Sequence, residues 1–245
     1  MNLERESHLT SLIRVARELS RGVDEIRFGP PVTHVYNPLR YAWNAHEQYL
    51  RRYGRGPKEA VLVGMNPGPW GMAQTGVPFG EVELVRRWLG IEVSVERPPV
   101  EHPKRPVEGF GCHRREVSGR RLWGWASRRF GTPDHFFERF FVANYCPLLF
   151  LEASGRNRTP DRLAAGERLE LAAVCDRALR LSVEALEPRF VVGVGKFAED
   201  CCRRALEGME VTIGRILHPS PASPAANRDW EGQAVRELKE LGVDV

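Results

Sequence analysis

The chain has 245 residues, and 36 lysines and arginines against 32 acidic residues give it a formal net charge of +4. A chain of this length can bury a sizeable core. No apolar run is long enough to cross a bilayer and no signal-peptide segment is visible, so we expect an intracellular protein, in the cytoplasm, nucleoid or nucleus.

The five cysteines show no CxxC spacing and are predicted to be free thiols. No group of histidines and cysteines has the spacing of a metal site, so neither a metal nor a cofactor is expected. We predict a single domain over residues 1–245, with 1–35 as a helical N-terminal extension packed on it.

Apolar residues that recur every three to four positions predict helices, and short apolar runs predict buried strands. The predicted helices cover residues 9–22, 42–53, 82–89, 118–130, 133–139, 160–187 and 225–241. The predicted strands cover residues 60–63, 140–144, 189–194 and 211–217. Residues 23–45 and 91–117 are predicted to be mainly irregular, the second because of its prolines. The alternation of strands and helices predicts a three-layer α/β/α domain around a mostly parallel four-stranded sheet.

The connection from Gly64 to Glu81 is an unusual strand-to-helix loop, because it combines five glycines and three prolines with large apolar side chains. In a parallel sheet, ligands bind at the carboxyl ends of the strands, where such loops emerge. The apolar residues therefore predict one wall of a pocket for a flat ligand; they are Met65, Trp70, Met72 and Phe79. An ordinary connecting loop is the alternative interpretation.

Three strand ends carry polar candidates for this pocket: Asn66, Asn144 and His218. The first loop contains no carboxylate before Glu81, which argues against hydrolysis by a carboxylate pair. No Gly-x-Ser-x-Gly elbow is present and no cysteine lies beside His218, which argues against a covalent nucleophile. Uncharged amides and one imidazole suit a reaction whose leaving group departs as a resonance-stabilised anion.

Arginine pairs are concentrated in the middle third of the chain, interleaved with Gly, Trp, Asn and Thr. They form either a solvated surface or a face that binds phosphates. Gly195 and Lys196 do not form a phosphate loop, because Phe197 stands where a Ser or Thr must hold magnesium.

Several of these segments together resemble one known family, the single-strand-selective monofunctional uracil-DNA glycosylases, family 3 of the uracil-DNA glycosylase superfamily. The segments are GMNPG at 64–68, GMAQTGVPFG at 71–80, NYCPL at 144–148, SGRNRTP at 154–160 and HPSP at 218–221. The resemblance extends from about residue 36 to residue 241.

The resemblance implies excision of uracil, and of 5-oxidised uracils such as 5-hydroxymethyluracil, from single- and double-stranded DNA by a monomer. Asn66 would position the attacking water and His218 would stabilise the leaving base. The implied base-binding residues are Met65, Gly68, Met72, Phe79 and Asn144. The implied DNA-binding residues are Ser154, Gly155, Arg156, Asn157, Arg158, Ser220, Pro221, Ala222 and Arg228.

The chemistry of Asn144 independently fits uracil. Its amide matches the N3–H donor and O4 acceptor of uracil together, whereas cytosine inverts both groups. Each buried unpaired polar group costs about 1–3 kcal/mol, so a fixed amide would discriminate strongly. The sequence does not show what fixes the amide.

One position departs from the family pattern, since Ala222 follows HPSP where the family has an arginine. This predicts a weaker or relocated wedge, with Arg228 as substitute, and relatively poorer activity on duplex DNA. Three other functions stay open at the level of sequence: a damaged-base-binding protein without catalysis, a glycosylase for xanthine or hypoxanthine, and a hydrolase of free nucleosides.

Overall fold

The computed structural model describes residues 2–245, with side chains from residue 9 onward. The α-helices of this part of the chain are α1 (Asn2–Asp24), α2 (Pro38–Tyr41), α3 (Trp43–Tyr53), α4 (Met72–Thr75), α5 (Val82–Arg87), α6 (Val117–Phe130), α7 (Pro133–Arg139), α8 (Ala165–Leu186), α9 (Lys196–Ala205) and α10 (Pro224–Glu240). The strands are β1 (Val32–Tyr36), β2 (Ala60–Gly64), β3 (Phe140–Asn144), β4 (Leu149–Glu152), β5 (Asn157–Arg158), β6 (Phe190–Val194) and β7 (Thr212–Ile216).

The central sheet is parallel and four-stranded, in the order β3-β2-β6-β7, which confirms the predicted sheet and its three-layer class. Strands β2 and β6 are buried along their whole length, as expected when helices cover both faces of a sheet. The chain leaves β2 toward β3 on one side and later returns to add β6 on the other. That reversal opens a crevice at the carboxyl ends of the strands, the usual ligand position in such sheets.

A second sheet of three antiparallel strands, in the order β1-β4-β5, was not predicted from the sequence. The expectation that residues 23–45 are irregular was wrong, since they include β1 and α2. These strands are short and lack strict alternation, and β1 is completed only by a distant partner, with Tyr36 opposite Leu149. The Tyr36 hydroxyl accepts from the His102 amide and donates to the Arg105 carbonyl, which ties the irregular segment 91–117 to this sheet.

The start of α8 also differs from the prediction. Thr159 and Pro160 begin a single 3₁₀ turn at Pro160–Arg162, and the long helix starts only at Ala165. Leu163 interrupts the helix because its backbone is extended (φ −70°, ψ 162°) and its side chain is buried in the core. Glu167 caps the new start by accepting from the Ala164 amide at 3.0 Å.

Helix α1 packs closely on α8. Gly22 faces Val174 so tightly that a side-chain carbon at position 22 would lie 2.9 Å from a Val174 methyl group. This packing supports the proposal that the N-terminal helix and the rest of the chain form one domain. The five cysteines are buried free thiols, as predicted. Among the described residues, no helix combines the length and apolarity that a membrane span requires.

Candidate active site

A cavity of about 400 Å³ opens at the carboxyl ends of the parallel strands, within the usual size range of small-molecule sites. It collects the predicted catalytic and base-binding residues from loops far apart in the sequence. The residues lining it are Met65, Asn66, Pro67, Gly68, Pro69, Met72, Phe79, Glu116, Ser118, Asn144, Asn157, Thr159, His218, Ser220 and Pro221.

Phe79 forms a flat wall of this cavity, held in an unusual backbone conformation. Its φ is +53°, a left-handed value that bulky residues rarely adopt. Two glycines make this conformation fit. A side-chain carbon at Gly64 would lie 2.5 Å from the Phe79 ring, and one at Gly119 would lie 2.0 Å from the Phe79 carbonyl oxygen. Backbone therefore packs against the ring at Gly64 and against the Phe79 carbonyl at Gly119, and such strain is typical of functional sites.

Asn144 ends β3 directly opposite Gly64. Its Nδ2 donates to the thioether sulfur of Met72 at 3.2 Å. Its Oδ1 lies against Gly64, 2.5 Å from the place where a side-chain carbon would stand. Met72 is almost fully buried, so its sulfur is held in place. The contact supplies what the sequence did not show, a group that distinguishes the two ends of the amide.

Asn66 lies two residues beyond β2. Here the hydrogen bonds between β2 and β3 continue past the ends of both strands. The Tyr145 amide donates to the Gly64 carbonyl and the Cys146 amide donates to the Met65 carbonyl. Nδ2 of Asn66 donates to the Leu148 carbonyl at 3.1 Å. This bond leaves Oδ1 of the amide as the atom that can accept from a water molecule.

His218 follows β7, and hydrogen bonds to the backbone of the preceding residue, Leu217, fix its position. The Leu217 amide donates to Glu237 at 2.6 Å, and the Trp230 indole donates to the Leu217 carbonyl at 2.6 Å. The His218 and Phe79 ring centroids are 6.4 Å apart. Burial lowers the pKa of His218, so the imidazole is neutral at pH 7 and can donate one N–H. His218 does not cap the next helix, because Ser223 does so by accepting from the Ala226 amide.

Arg121 braces the loop that follows His218. Its guanidinium donates to the carbonyls of Pro219 and Ser220 at 3.1 and 3.2 Å and to the side chain of Asn227 at 2.8 Å. One of the arginines considered for a phosphate-binding face therefore has a structural partner. Beyond the braced stretch, Pro221, Ala222 and Arg228 are exposed.

Glu116 is a carboxyl-bearing residue that lines the cavity and was not predicted from the sequence. Its carboxyl faces Gly68 and Gly71, and burial raises its pKa. Glu116 lies outside the motif loops and caps the start of α6, where Oε1 accepts from the Ser118 amide at 3.4 Å. The pocket therefore contains a carboxyl group that the motif loops did not indicate. The available signal in the sequence was the position of Glu116, just before the predicted helix 118–130.

The segment 154–158 is divided between different environments. Ser154 accepts from the Arg156 amide in a turn, Gly155 takes a φ of +82°, and the Arg156 side chain is exposed. Arg158 forms an ion pair with Glu152 at 3.0 Å and also donates to the Arg162 carbonyl, so it serves the local structure. Asn157 lines the cavity, and its buried Oδ1 has no hydrogen-bond partner.

Trp70 does not line the cavity, contrary to the sequence prediction. The guanidinium groups of Arg105 and Arg114 lie over its ring at 5.3 and 4.7 Å from the centroid. Lys196 is exposed and paired with Asp200, outside the cavity. Among the described side chains, those of residues 9–245, no group of acidic, histidine or cysteine residues is arranged to hold a metal ion.

Comparison with known proteins identifies the family of the chain. The family model of the Uracil DNA glycosylase superfamily matches residues 52–239. The chain is 53% identical over 240 residues to the single-strand selective monofunctional uracil-DNA glycosylase of Rattus norvegicus, covering 97% of this chain and 85% of the relative. The Bos taurus protein of the same name is 51% identical, with 97% and 87% covered.

A solved structure shares the fold. The wild-type SMUG2 crystal structure from Pedobacter heparinus aligns with a TM-score of 0.65 at 16% identity, covering 93% of this chain and 98% of that one. From the family match and the identity to the mammalian relatives, the chain belongs to the uracil-DNA glycosylase superfamily, among its single-strand-selective monofunctional members.

Proposed function

We propose that Asn66, Asn144 and His218 carry out the reaction of this family, excision of uracil from DNA by hydrolysis of the N-glycosidic bond. The protein is a monofunctional uracil-DNA glycosylase of base-excision repair. The observation that carries the residue assignment is that all three side chains line one cavity, together with the fixed ring of Phe79. A cavity of about 400 Å³ accepts one base once that base has left the helix stack.

Recognition of the flipped base uses Phe79 and Asn144. The ring of Phe79 stacks on one face of the base, a contact worth about 1–3 kcal/mol in comparable sites. The amide of Asn144 donates from Nδ2 to O4 and accepts at Oδ1 from N3–H. Because Met72 accepts a hydrogen from Nδ2, a half-turn of the amide would bring the oxygen against the sulfur and lose that bond.

Cleavage breaks the bond between C1′ of the sugar and N1 of the base, and the electron pair leaves with the base. The neutral imidazole of His218 donates an N–H to O2, where negative charge develops. A water held by Oδ1 of Asn66 adds its oxygen to C1′, and the proton it releases balances the charge of the departing base. The products are free uracil and an abasic site.

The reaction needs no covalent enzyme intermediate. None of the residues that line the cavity is a lysine, and Lys196 pairs with Asp200 elsewhere. A Schiff base with the sugar therefore has no amine to form it. Borohydride treatment of the protein on uracil-containing DNA should trap no covalent complex.

DNA contacts are proposed around the mouth of the cavity, to both single- and double-stranded substrate by a monomer. Arg156 is exposed there beside the lining residue Asn157, and Ser220 and Pro221 form part of the rim. The Ala222 amide donates to the Ser220 hydroxyl at this rim, and Arg228 is an exposed arginine on α10. Phosphate contacts release counterions, so binding should weaken steeply with salt. An intracellular location is proposed from the DNA substrate.

The test of the function is incubation with a single-stranded oligonucleotide that contains one uracil, followed by alkali to cleave abasic sites. We expect cleavage at the uracil position only, and none in matched oligonucleotides that carry thymine or cytosine. Binding without cleavage would support the damaged-base-binding alternative. Cleavage confined to hypoxanthine or xanthine, or to free nucleosides, would replace uracil DNA as the substrate.

Met72→Leu should weaken the discrimination between uracil and cytosine by about tenfold, since the amide of Asn144 loses the acceptor that orients it. Leucine has a similar volume, so the core should tolerate it at a cost below about 1.5 kcal/mol. The measurement is the ratio of single-turnover rates on uracil and cytosine oligonucleotides. Met209→Leu, at a half-buried methionine that does not line the cavity, is the matched control. An unchanged ratio would reject the orienting role of the sulfur.

Ala222→Arg should raise activity on duplex DNA relative to single strands by about tenfold, because a long cationic side chain at the rim can fill the gap that the flipped base leaves. Both substrates are measured at equal salt, and the ratio is the result of interest. Ala222→Met adds length without charge and separates filling from phosphate attraction. A ratio that stays at the wild-type value in both variants would show that another residue holds the duplex open.

A further inference from the structure

A basic surface lies beside the mouth of the cavity, around the half-buried ring of Trp70. Trp70 directly follows Pro69, and Arg114 lies two residues before Glu116, and both Pro69 and Glu116 line the cavity. Two guanidinium groups of this surface lie over the Trp70 ring, at 5.3 and 4.7 Å from its centroid. We call this surface the Trp70 patch, and it consists of Trp70, Lys104, Arg105, Arg114 and Arg115.

The four cations of the patch are not neutralised by acids. Arg105 donates to the Lys104 carbonyl at 2.8 Å, and its buried Nε has no hydrogen-bond partner. Among the described side chains, none of the four has a carboxylate partner, and Glu101, three residues before Lys104, pairs with Arg97 instead. Unpaired positive charge beside a cavity attracts anions such as the phosphates of DNA.

A buried amide fixes the two segments of the patch against each other. Gln74 is only 1% exposed, and its Nε2 donates to the carbonyls of Pro69 and Pro106 at 2.9 and 3.0 Å. Its Oε1 accepts from the backbone amides of residues 108–109. All hydrogen-bonding groups of this side chain are therefore used. The loop that carries Trp70 keeps a fixed position against the segment that carries the cations.

The patch adjoins the segment that is proposed to contact DNA. A side-chain carbon at Gly155 would lie 3.2 Å from Cβ of Lys104 and 3.6 Å from the guanidinium carbon of Arg105. The next residue, Arg156, is exposed. A DNA strand that leaves the cavity past Arg156 therefore meets the cations of the patch directly.

Trp43 shows how a tryptophan–arginine pair is built when it only stabilises the fold. Arg17 lies over its ring at 4.0 Å from the centroid, and Glu47 pairs with Arg17 and accepts from the indole N–H. The Trp70 patch has no such acid among the described side chains. Loop packing alone therefore does not explain it, whereas an anionic ligand with a flat group does.

We propose, on the basis of the function assigned above, that the Trp70 patch binds the nucleotide next to the uracil in single-stranded DNA. The base of that nucleotide stacks on the flat surface formed by Trp70 and the guanidinium groups over it. The cations of the patch hold the adjoining phosphates. Every base has a face that can stack, so this contact is independent of sequence.

The state of the neighbouring base makes the patch selective for single strands. In a duplex, that base is held by its partner and by its stack, and turning it toward the protein costs a few kcal/mol. In a single strand the base has no partner, so the cost of turning is smaller. The patch therefore contributes more to binding of a single strand than to binding of a duplex.

The test removes the ring and the neighbouring base in turn. The wild type and Trp70→Ala are measured on three single-stranded oligonucleotides that each contain one uracil. The first has normal bases on both sides of the uracil, and the other two carry a sugar without a base as the 5′ or the 3′ neighbour. The quantity compared is the enzyme concentration that gives half the maximal single-turnover rate, at one salt concentration.

We expect Trp70→Ala to raise this concentration by about tenfold on the normal strand, as for one base–aromatic contact. On one of the two strands that lack a base, the wild type should be weakened by a similar factor, and Trp70→Ala should cause almost no further loss. A ring that only supported the fold would weaken all three strands alike. Trp43→Ala is the matched control and should not distinguish the three strands.

Lys104→Gln tests the charges of the patch at an exposed side chain. Each phosphate contact that is lost lowers the slope of log affinity against log salt by about 0.7 on a single strand, and we expect that change. Arg55→Gln is the control, because Arg55 is exposed and precedes β2 at the opposite edge of the sheet. Equal slopes in Lys104→Gln and the wild type would reject the phosphate contact.

The outcomes separate this inference from the function on which it rests. If the wild type excises uracil and Trp70→Ala weakens all three strands by the same factor, or none of them, the stacking site is wrong and the glycosylase function stands. If Trp70→Ala does not fold, Trp70→Leu keeps an apolar side chain without a flat ring, and the same comparison decides. If the wild type leaves uracil DNA uncut, the function and this inference both fall.

Discussion

His218→Leu should slow uracil excision by about 10²–10³-fold, the usual loss when one donor to a developing oxyanion is removed. Leucine fills a similar volume but cannot donate to O2. The loss should fall on the chemical step, because a contact that strengthens as charge develops contributes mainly to the transition state. Affinity for single-stranded uracil DNA should therefore change little.

The measurement is the single-turnover rate with enzyme in excess, together with DNA binding at the same salt. His135→Leu, at an exposed histidine on α7, is the matched control and should keep the wild-type rate. A second substrate sharpens the test. 5-Fluorouracil leaves as a more stable anion, so its excision depends less on His218. The rate loss caused by His218→Leu should therefore be clearly smaller on 5-fluorouracil than on uracil. Equal losses on both bases would contradict stabilisation of the leaving group.

The sequence predicted the parts of the fold that depend on local pattern. The runs 60–63 and 140–143 are continuous and apolar because both sheet faces are covered, and they were recognised as buried strands. The antiparallel sheet was not predicted, because β1 is only partly apolar and its partner strand lies more than a hundred residues away in the sequence. The residues of one strand carry almost no information about a partner strand so distant in the sequence.

The candidate site divides in the same way. Asn66, Asn144 and His218 were found because parallel strands end at one edge, so residues just past them must converge. The groups that orient them were not found. The Leu148 carbonyl that holds Asn66 and the sulfur that holds Asn144 are contacts between loops, and Glu116 reaches the cavity from the start of a helix. Their roles depend on distances that spacing along the chain does not determine.

Asn66→Ala should reduce the rate of uracil excision by about 10²–10⁴-fold, the range typical of a residue that positions or activates the attacking water. The methyl group of alanine cannot hold a water in line with C1′. The fold should survive, because the lost bond to the Leu148 carbonyl is a single contact at the cavity wall. Asn44→Ala, at an exposed asparagine on α3, is the matched control and should behave as the wild type.

The leaving group distinguishes the role of Asn66 from that of His218. Asn66 acts on the water side of C1′, so its loss should be nearly the same for uracil and 5-fluorouracil, whereas the loss from His218→Leu should shrink with the better leaving group. Both variants are therefore measured on both bases in the same oligonucleotide. If the loss from Asn66→Ala also shrinks with 5-fluorouracil, Asn66 stabilises the departing base and the water must be held by another group. Asn157 would then be the first candidate, because its buried Oδ1 in the cavity has no protein partner.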